Sequence, residues 1–289
     1  MNPSAGRESP PIAYGFWRYG PDDLARALEM IEAAREAGIS HFDTADVYGG
    51  RSHFGAAEAV LGEARRRAPS LFDGAEIATK VGVERGTPYN SSREYIEKAV
   101  DASLRRLGVE RVDLLYVHRP DLLAHPAEVA GALDDLIARG KAARIGVSNY
   151  APAQIEALSA FLKTPLAAHQ IELSALATAP FFDGTLDQAM ARDMAVYAWS
   201  PLGGGRLFDP ADGQAARVRT ALEKHAKAAG CAVSAAALAF LMRHPARPMP
   251  IIGTRSAARL REAVAAAQVR LDRQAWYEIL QASLGERLP

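Results

Sequence analysis

Eight short β-rich runs alternate with longer helical stretches along these 289 residues, and that alternation restricts the fold more than any other feature. The runs are Ile12–Tyr14, His41–Asp43, Glu76–Lys80, Val112–His118, Ile145–Ser148, Ala168–Ile171, Ala195–Trp199 and Pro250–Gly253. Gly, Pro, Asp or Ser bounds each of them. Between them Asp22–Ala37, Ser92–Leu107, Pro126–Arg139, Pro152–Leu162, Ala257–Val264 and Asp272–Leu284 carry helical signals. Leu24, Leu28 and Ile31 share a helix face in the first, and Gly38 stops it. Ser91 and Glu94 form a candidate capping box for the second, and proline opens the third and fourth. Strand followed by helix, eight times over, predicts a single-domain α/β chain folded as a (β/α)8 TIM barrel. An open doubly wound sheet would need a glycine-rich dinucleotide turn after an early strand. Here the first run continues as Gly15-Phe16-Trp17-Arg18. Leu202–Gly213, glycine-rich and without periodicity, is expected to be a long irregular loop on the C-terminal face, where barrels bind ligands.

Composition narrows the function classes. With 49% hydrophobic residues the chain can build a large core, so disorder is excluded. The 34 acidic and 34 basic residues cancel, and a nucleic-acid partner is not expected without a basic excess. No run of 18 apolar residues is present, so no membrane span is expected. Met1 to Glu8 is polar and lacks an apolar signal core, which predicts a cytoplasmic location. Cys231 stands alone among small apolar neighbours, which excludes an intrachain disulfide and any multi-cysteine metal site. The histidines lack ligand partners at useful spacing, so no metal is expected. Oligomeric state, monomer or weak oligomer, is not legible.

Three strand ends carry residues that a barrel core would not choose for stability. Asp43 ends the second strand, Lys80 the third and His118 the fourth, and Tyr48 follows in the loop after Asp43. Sequential right-handed connections make these strands neighbours. An acid, a lysine, a histidine and a tyrosine then share one rim and form a proton-transfer device. Free tyrosine titrates near ~10, and a nearby ammonium favours its phenolate, so Lys80 is expected to lower Tyr48. Asp43 keeps the desolvated Lys80 charged, and His118 can hydrogen-bond a substrate oxygen. A buried Asp–Lys pair alone would be an ordinary structural feature, and the four groups together favour catalysis.

These residues resemble the aldo-keto reductase superfamily, through Phe42-Asp43-Thr44-Ala45 with Tyr48-Gly49, Thr79-Lys80, and Val112-Asp113-Leu114 with His118. Ile145-Gly146-Val147-Ser148-Asn149, His169-Gln170-Ile171-Glu172 and Trp199-Ser200-Pro201-Leu202-Gly203 extend the likeness over nearly the whole chain. His118-Arg119-Pro120-Asp121, Asp183 to Gln188 and Gly203 to Phe208 bring it nearest to the bacterial YdhF-type oxidoreductases. The resemblance implies an NADPH-dependent enzyme that reduces a small-molecule carbonyl substrate. It makes Tyr48 the general acid, Lys80 its pKa-lowering neighbour, Asp43 the partner of Lys80, and His118 the group that orients the carbonyl. It implies that Ser148, Asn149 and Gln170 hold the nicotinamide carboxamide. Trp199 stands where relatives usually stack a tyrosine on the ring.

The pyrophosphate is then expected over the loops after strands seven and eight, near Ser200, Leu202, Gly203, Gly205 and Arg206. Gly253 and Thr254 follow strand eight, and Arg255 and Arg259 are candidates to clamp a 2′-phosphate. Relatives often carry Asn or Gln at the position of Ala263. Trp17 is expected beside the cofactor pocket. Phe16, Phe54, residues 120–124 and 180–182, and Phe208 are expected to make its walls apolar or aromatic. Arg119 and Asp121 are read as a loop ion pair, with substrate contact by Arg119 the second reading. Many relatives place a β-hairpin across the barrel bottom, which the short stretch before strand one leaves little room for. Two other functions use the same barrel: a lyase forming a Schiff base at Lys80, and a sensor that binds NADP(H) with little turnover.

Overall fold

The computed structural model of the chain describes residues 11–50, 53–209 and 211–289. All eight expected runs are strands. They are β1 (Ala13–Gly15), β2 (His41–Asp43), β3 (Glu76–Val81), β4 (Leu114–Val117), β5 (Ile145–Ser148), β6 (Ala168–Glu172), β7 (Ala195–Trp199) and β8 (Met249–Ile252). Each pairs in parallel with the next, and β8 returns to β1, with Tyr14 opposite Ile252. The result is a closed (β/α)8 TIM barrel. The question of a bottom hairpin falls on residues 1–10 and lies outside the described residues.

Ten helices surround the barrel among the described residues: α1 (Leu24–Glu36), α2 (Ala56–Arg67), α3 (Arg93–Leu107), α4 (Pro126–Ala138), α5 (Pro152–Ser159), α6 (Thr185–Ala191), α7 (Gly213–Ala229), α8 (Val233–Met242), α9 (Ala257–Ala265) and α10 (Arg273–Leu284). No single one is long and apolar enough to cross a membrane. The six expected helices are present, and α2, α6, α7 and α8 were not anticipated. In α8 the seven residues from Ala235 to Leu241 are all buried, so no polar face marks a helical period. In α2 the buried face includes Glu58 beside Val60 and Leu61, which breaks the apolar pattern. The cap of α3 also differs from expectation. Ser92 accepts from the Tyr95 N–H, whereas Ser91 is buried and its N–H donates to Asp121.

The stretch expected to be an irregular loop is more ordered than its composition suggests. Gly203–Phe208 forms 3-10 turns, with left-handed φ angles of 66° and 105° at Gly204 and Gly205, and α7 begins at Gly213. Glycine allows these turns because it has no Cβ to collide with the backbone.

The barrel interior determines where the functional side chains go. Ala13, Ala78, Leu114, Tyr116, Ala168, Tyr197 and Ile251 pack together as one buried cluster inside the ring. Side chains two residues apart on a strand point to the same face. Two residues beyond Ala78 is Lys80, beyond Tyr116 is His118, beyond Ala168 is Gln170, and beyond Tyr197 is Trp199. The same step leads from His41 to Asp43 and from Gly146 to Ser148. The uppermost inward layer, at the strands' C-terminal ends, is therefore the polar one.

Candidate active site

Lys80 is wholly buried, and its ammonium is fully engaged. Nζ donates to both Asp43 oxygens, at 2.8 and 2.7 Å, and to the Thr44 carbonyl at 2.8 Å. Burial acts to lower this lysine, but Asp43 and the Tyr48 phenol outweigh it and leave it above its ordinary range. Gln170 Nε2 donates to Asp43 Oδ1 at 2.8 Å, so the buried carboxylate also has a neutral partner.

Tyr48 reaches this group from the loop after β2. Lys80 Nζ lies 4.9 Å from the centre of its ring. The His118 ring meets the Tyr48 ring edge-on at 5.8 Å. The four residues thus gather at one point on the rim. The net effect on Tyr48 departs from the sequence expectation. Burial pushes its phenol above the ordinary value, and Lys80 is the largest influence opposing that rise. A desolvated phenolate costs more than one neighbouring ammonium returns when that ammonium is shared with Asp43. At neutral pH Tyr48 accordingly carries its proton. Burial, then Lys80 and Arg119, hold the His118 imidazole well below its ordinary range, so it is neutral and offers one N–H.

Beside His118, Asn149 has a left-handed backbone, φ 61°, as does Ser200, φ 50°. Non-glycine residues adopt this conformation at a cost, and such positions concentrate at functional sites. Asn149 Nδ2 donates to Ser148 Oγ at 2.8 Å and to the His118 carbonyl at 3.2 Å. Its Oδ1 accepts from Trp199 Nε1 at 2.9 Å, which fixes the plane of the indole. Ser148, Asn149 and Trp199 therefore form one bonded set at the ends of β5 and β7. Gln170, in the same layer, bonds Asp43 instead.

Arg119 departs from its expected pairing. Its guanidinium lies 5.6 Å from the Trp199 ring centre, while Asp121 accepts from the Ser91 and Leu123 backbone N–H groups. Asp121 is thus committed to shaping its loop, and Arg119 has no carboxylate partner among the described residues. Two expected pocket walls belong to the core instead. Phe16 is fully buried against Tyr14, Tyr19 and Phe42, and Phe181 packs on Phe240 and Trp276. Trp17 is exposed at the rim, with Arg18 over its ring.

Arg206 is paired with Asp212 at 2.7 Å. Leu202 packs against the core and precedes the Gly203–Gly205 turn. After β8, Gly253 leads to Thr254, whose carbonyl accepts from Tyr14 Oη at 2.7 Å. Arg255 bonds Asp23, and Arg259, in the first turn of α9, is exposed and has no ionic partner among the described residues.

The model of the Aldo/keto reductase family matches residues 11–283. The chain belongs to this family. A 6-dehydroglucose reductase of Novosphingobium aromaticivorans is 47% identical over 96% of this chain and 93% of that protein. A protein of the same name from Agrobacterium fabrum is 39% identical over 96% and 95%. The oxidoreductase YdhF of Escherichia coli is 36% identical over 98% and 97%. In fold, this aldo/keto reductase superposes on the crystal structure of the thermostable aldo-keto reductase Tm1743 with a TM-score of 0.84. That match covers 96% of this chain and 97% of the other at 23% identity. The protein is thus an oxidoreductase of the family, acting on small molecules.

Sequence reasoning missed a buried ionic cluster behind Tyr48. Glu58 of α2 accepts from Thr79 Oγ1 at 2.5 Å and from Arg106 Nε at 2.7 Å. Thr79 adjoins Lys80, so this aldo/keto reductase ties α2 and α3 directly to the strand that carries its lysine. Burial, and then Glu58, raise the Asp46 carboxyl well above its ordinary range, two residues before Tyr48. Helical signals in Ala56–Arg67 could have located Glu58, but nothing in the sequence shows that its side chain faces inward.

Proposed function

We propose that this aldo/keto reductase reduces aldehydes or ketones to alcohols with NADPH, and that Tyr48 is the general acid. The observation that carries the reading is the convergence of Asp43, Lys80, Tyr48 and His118 at the end of one barrel. The substrate carbonyl oxygen would accept from Tyr48 Oη and from the neutral His118. As negative charge builds on that oxygen, the Tyr48 proton moves to it. The Lys80 ammonium stabilises the phenolate left behind, and its charge is preserved by Asp43. A bound reduced nicotinamide supplies the hydride.

The residues present suit that cofactor. Trp199 offers a flat face fixed by Asn149, Ser148 and Asn149 place polar groups beside it, and the left-handed turn at Gly203–Gly205 brings backbone close to its far side. Arg259 and Arg255 lie at the end suited to a 2′-phosphate, which favours NADPH. The two relatives named 6-dehydroglucose reductase support a hydroxylated, sugar-derived carbonyl compound as substrate. The guanidinium of Arg119 over Trp199 provides donors for such hydroxyls, a more polar mouth than the sequence implied. A single domain and a cytoplasmic location, where reduced dinucleotide is plentiful, complete the reading.

A Schiff base at Lys80 requires an uncharged amine. The paired ammonium opposes it. Tyr48→Phe tests the proposal. It should retain NADPH binding, read by tryptophan fluorescence, while turnover on a panel of sugar-derived aldehydes and ketones falls by about 10²–10⁴. Turnover unchanged by the substitution rejects Tyr48 as the acid. Saturable NADPH binding by wild type with no turnover on any carbonyl would favour the sensor.

A further inference from the structure

The loop after β8 and the first turn of α9 each carry an arginine, and the two are in different states. Arg259 is exposed and unpaired among the described residues. The Arg255 guanidinium bonds Asp23, at the entrance to α1, and lies 5.5 Å over the Tyr19 ring. Asp23 is held from the other side, because Oδ2 accepts from the Gly20 N–H at 2.8 Å. The carboxylate is therefore a fixed part of the loop that follows β1. The backbone that carries Arg255 is fixed as well. Tyr14 Oη donates to the Thr254 carbonyl at 2.7 Å, and the Tyr14 and Tyr19 hydroxyls are 2.6 Å apart. Two rigid loops thus hold a carboxylate against one of the two cations available to a phosphate.

We propose that Asp23 masks Arg255 against the 2′-phosphate of the dinucleotide and so sets the balance between NADPH and NADH. The inference rests on the cofactor reading above. A phosphate dianion reaching Arg255 must displace a carboxylate or share the guanidinium with it, and in either case like charges are brought together. An unphosphorylated ribose meets no such opposition. Asp23 is a specificity-determining residue on this account, and Arg259 is the cation that binds phosphate unaided.

The test is titration of NADPH and NADH, by fluorescence, into wild type, Asp23→Asn, Arg255→Gln and the double variant. Asparagine keeps an acceptor for the Gly20 N–H, and thermal melts establish that each variant is folded. Asp23→Asn should tighten NADPH by about fivefold, the factor matching about 1 kcal/mol for an exposed ion pair, and leave NADH within about twofold. In the Arg255→Gln background the same change should have no effect on either ligand. An NADPH to NADH affinity ratio that stays constant or falls in Asp23→Asn overturns the masking role while leaving the cofactor reading intact. A fall would mean that the carboxylate positions Arg255 for phosphate. Absence of saturable NADPH binding by wild type removes the cofactor reading, and this inference with it.

Discussion

Lys80 shows how one side chain serves both stability and chemistry. It is buried without exposure, and it donates three hydrogen bonds to Asp43 and Thr44, residues of the preceding strand and its loop. Removing it strands the Asp43 carboxylate in the barrel with Gln170 as its remaining side-chain donor. Lys80→Met should therefore destabilise the fold by about 3–5 kcal/mol in urea unfolding, because an uncompensated charge stays buried. Pairing it with Asp43→Asn should recover more than half of that loss while activity remains absent. Equal stability of the single and double variants would show that the ion pair contributes little. Asp43, Lys80 and His118 were legible because each interrupts an apolar strand end, and Tyr48 because it follows Asp43 in the loop after β2. The net titration of Tyr48 was not, since it depends on how deeply the phenol is buried and on Lys80 being shared. The partner of Arg119 was equally hidden. Asp121 is near in sequence, but backbone N–H groups occupy it.

Helices α2 and α3 illustrate what periodicity does not record. An ideal Cβ on Gly62 would lie 2.1 Å from the Arg106 carbonyl oxygen and 2.9 Å from the Leu107 backbone, so the two helices touch main chain to main chain there. That approach brings Arg106 to Glu58, and Glu58 to Thr79 on β3. Gly62→Ala should cost about 2 kcal/mol, as overpacking a closed contact does, measured by thermal or urea unfolding. A change within about 0.5 kcal/mol would mean that the helices can separate freely. Strands were easier to place than helices. The eight runs are short and bounded by turn residues, whereas α8 is apolar on every side and α2 buries a charge. The Gly203–Phe208 turns were read as irregular because glycine signals a bend without saying which one.

Across the whole molecule, chemistry and stability occupy opposite ends of the barrel. The rim carries the reactive groups, while at the other end Glu76, the first residue of β3, meets His41 at 3.2 Å and Arg144 at 2.9 Å. The His41 hydrogen bond is the main cause that brings Glu76 down to about 2. A carboxyl depressed in the folded state stabilises above its unfolded value, near 4.5, and that contribution disappears as pH falls towards 2. Glu76 is 45% exposed, so screening limits the gain to about 1 kcal/mol. Glu76→Gln should lower the melting temperature at pH 7 and leave it near wild type at pH 2.5. An equal loss at both values would assign the effect to packing rather than charge. The order of strands around the ring followed directly from the alternation along the chain, because parallel neighbours need a crossover and supply no other closed arrangement.

The pairing of β1 with β8 sets a timetable for biosynthesis. Tyr14 and Thr254, bonded across this seam, are 240 positions apart. A ribosome must translate seven strands and most of the helices before the first strand acquires its second neighbour. Until then the emerging polypeptide displays an open edge, and with three residues β1 offers other chains little to pair with.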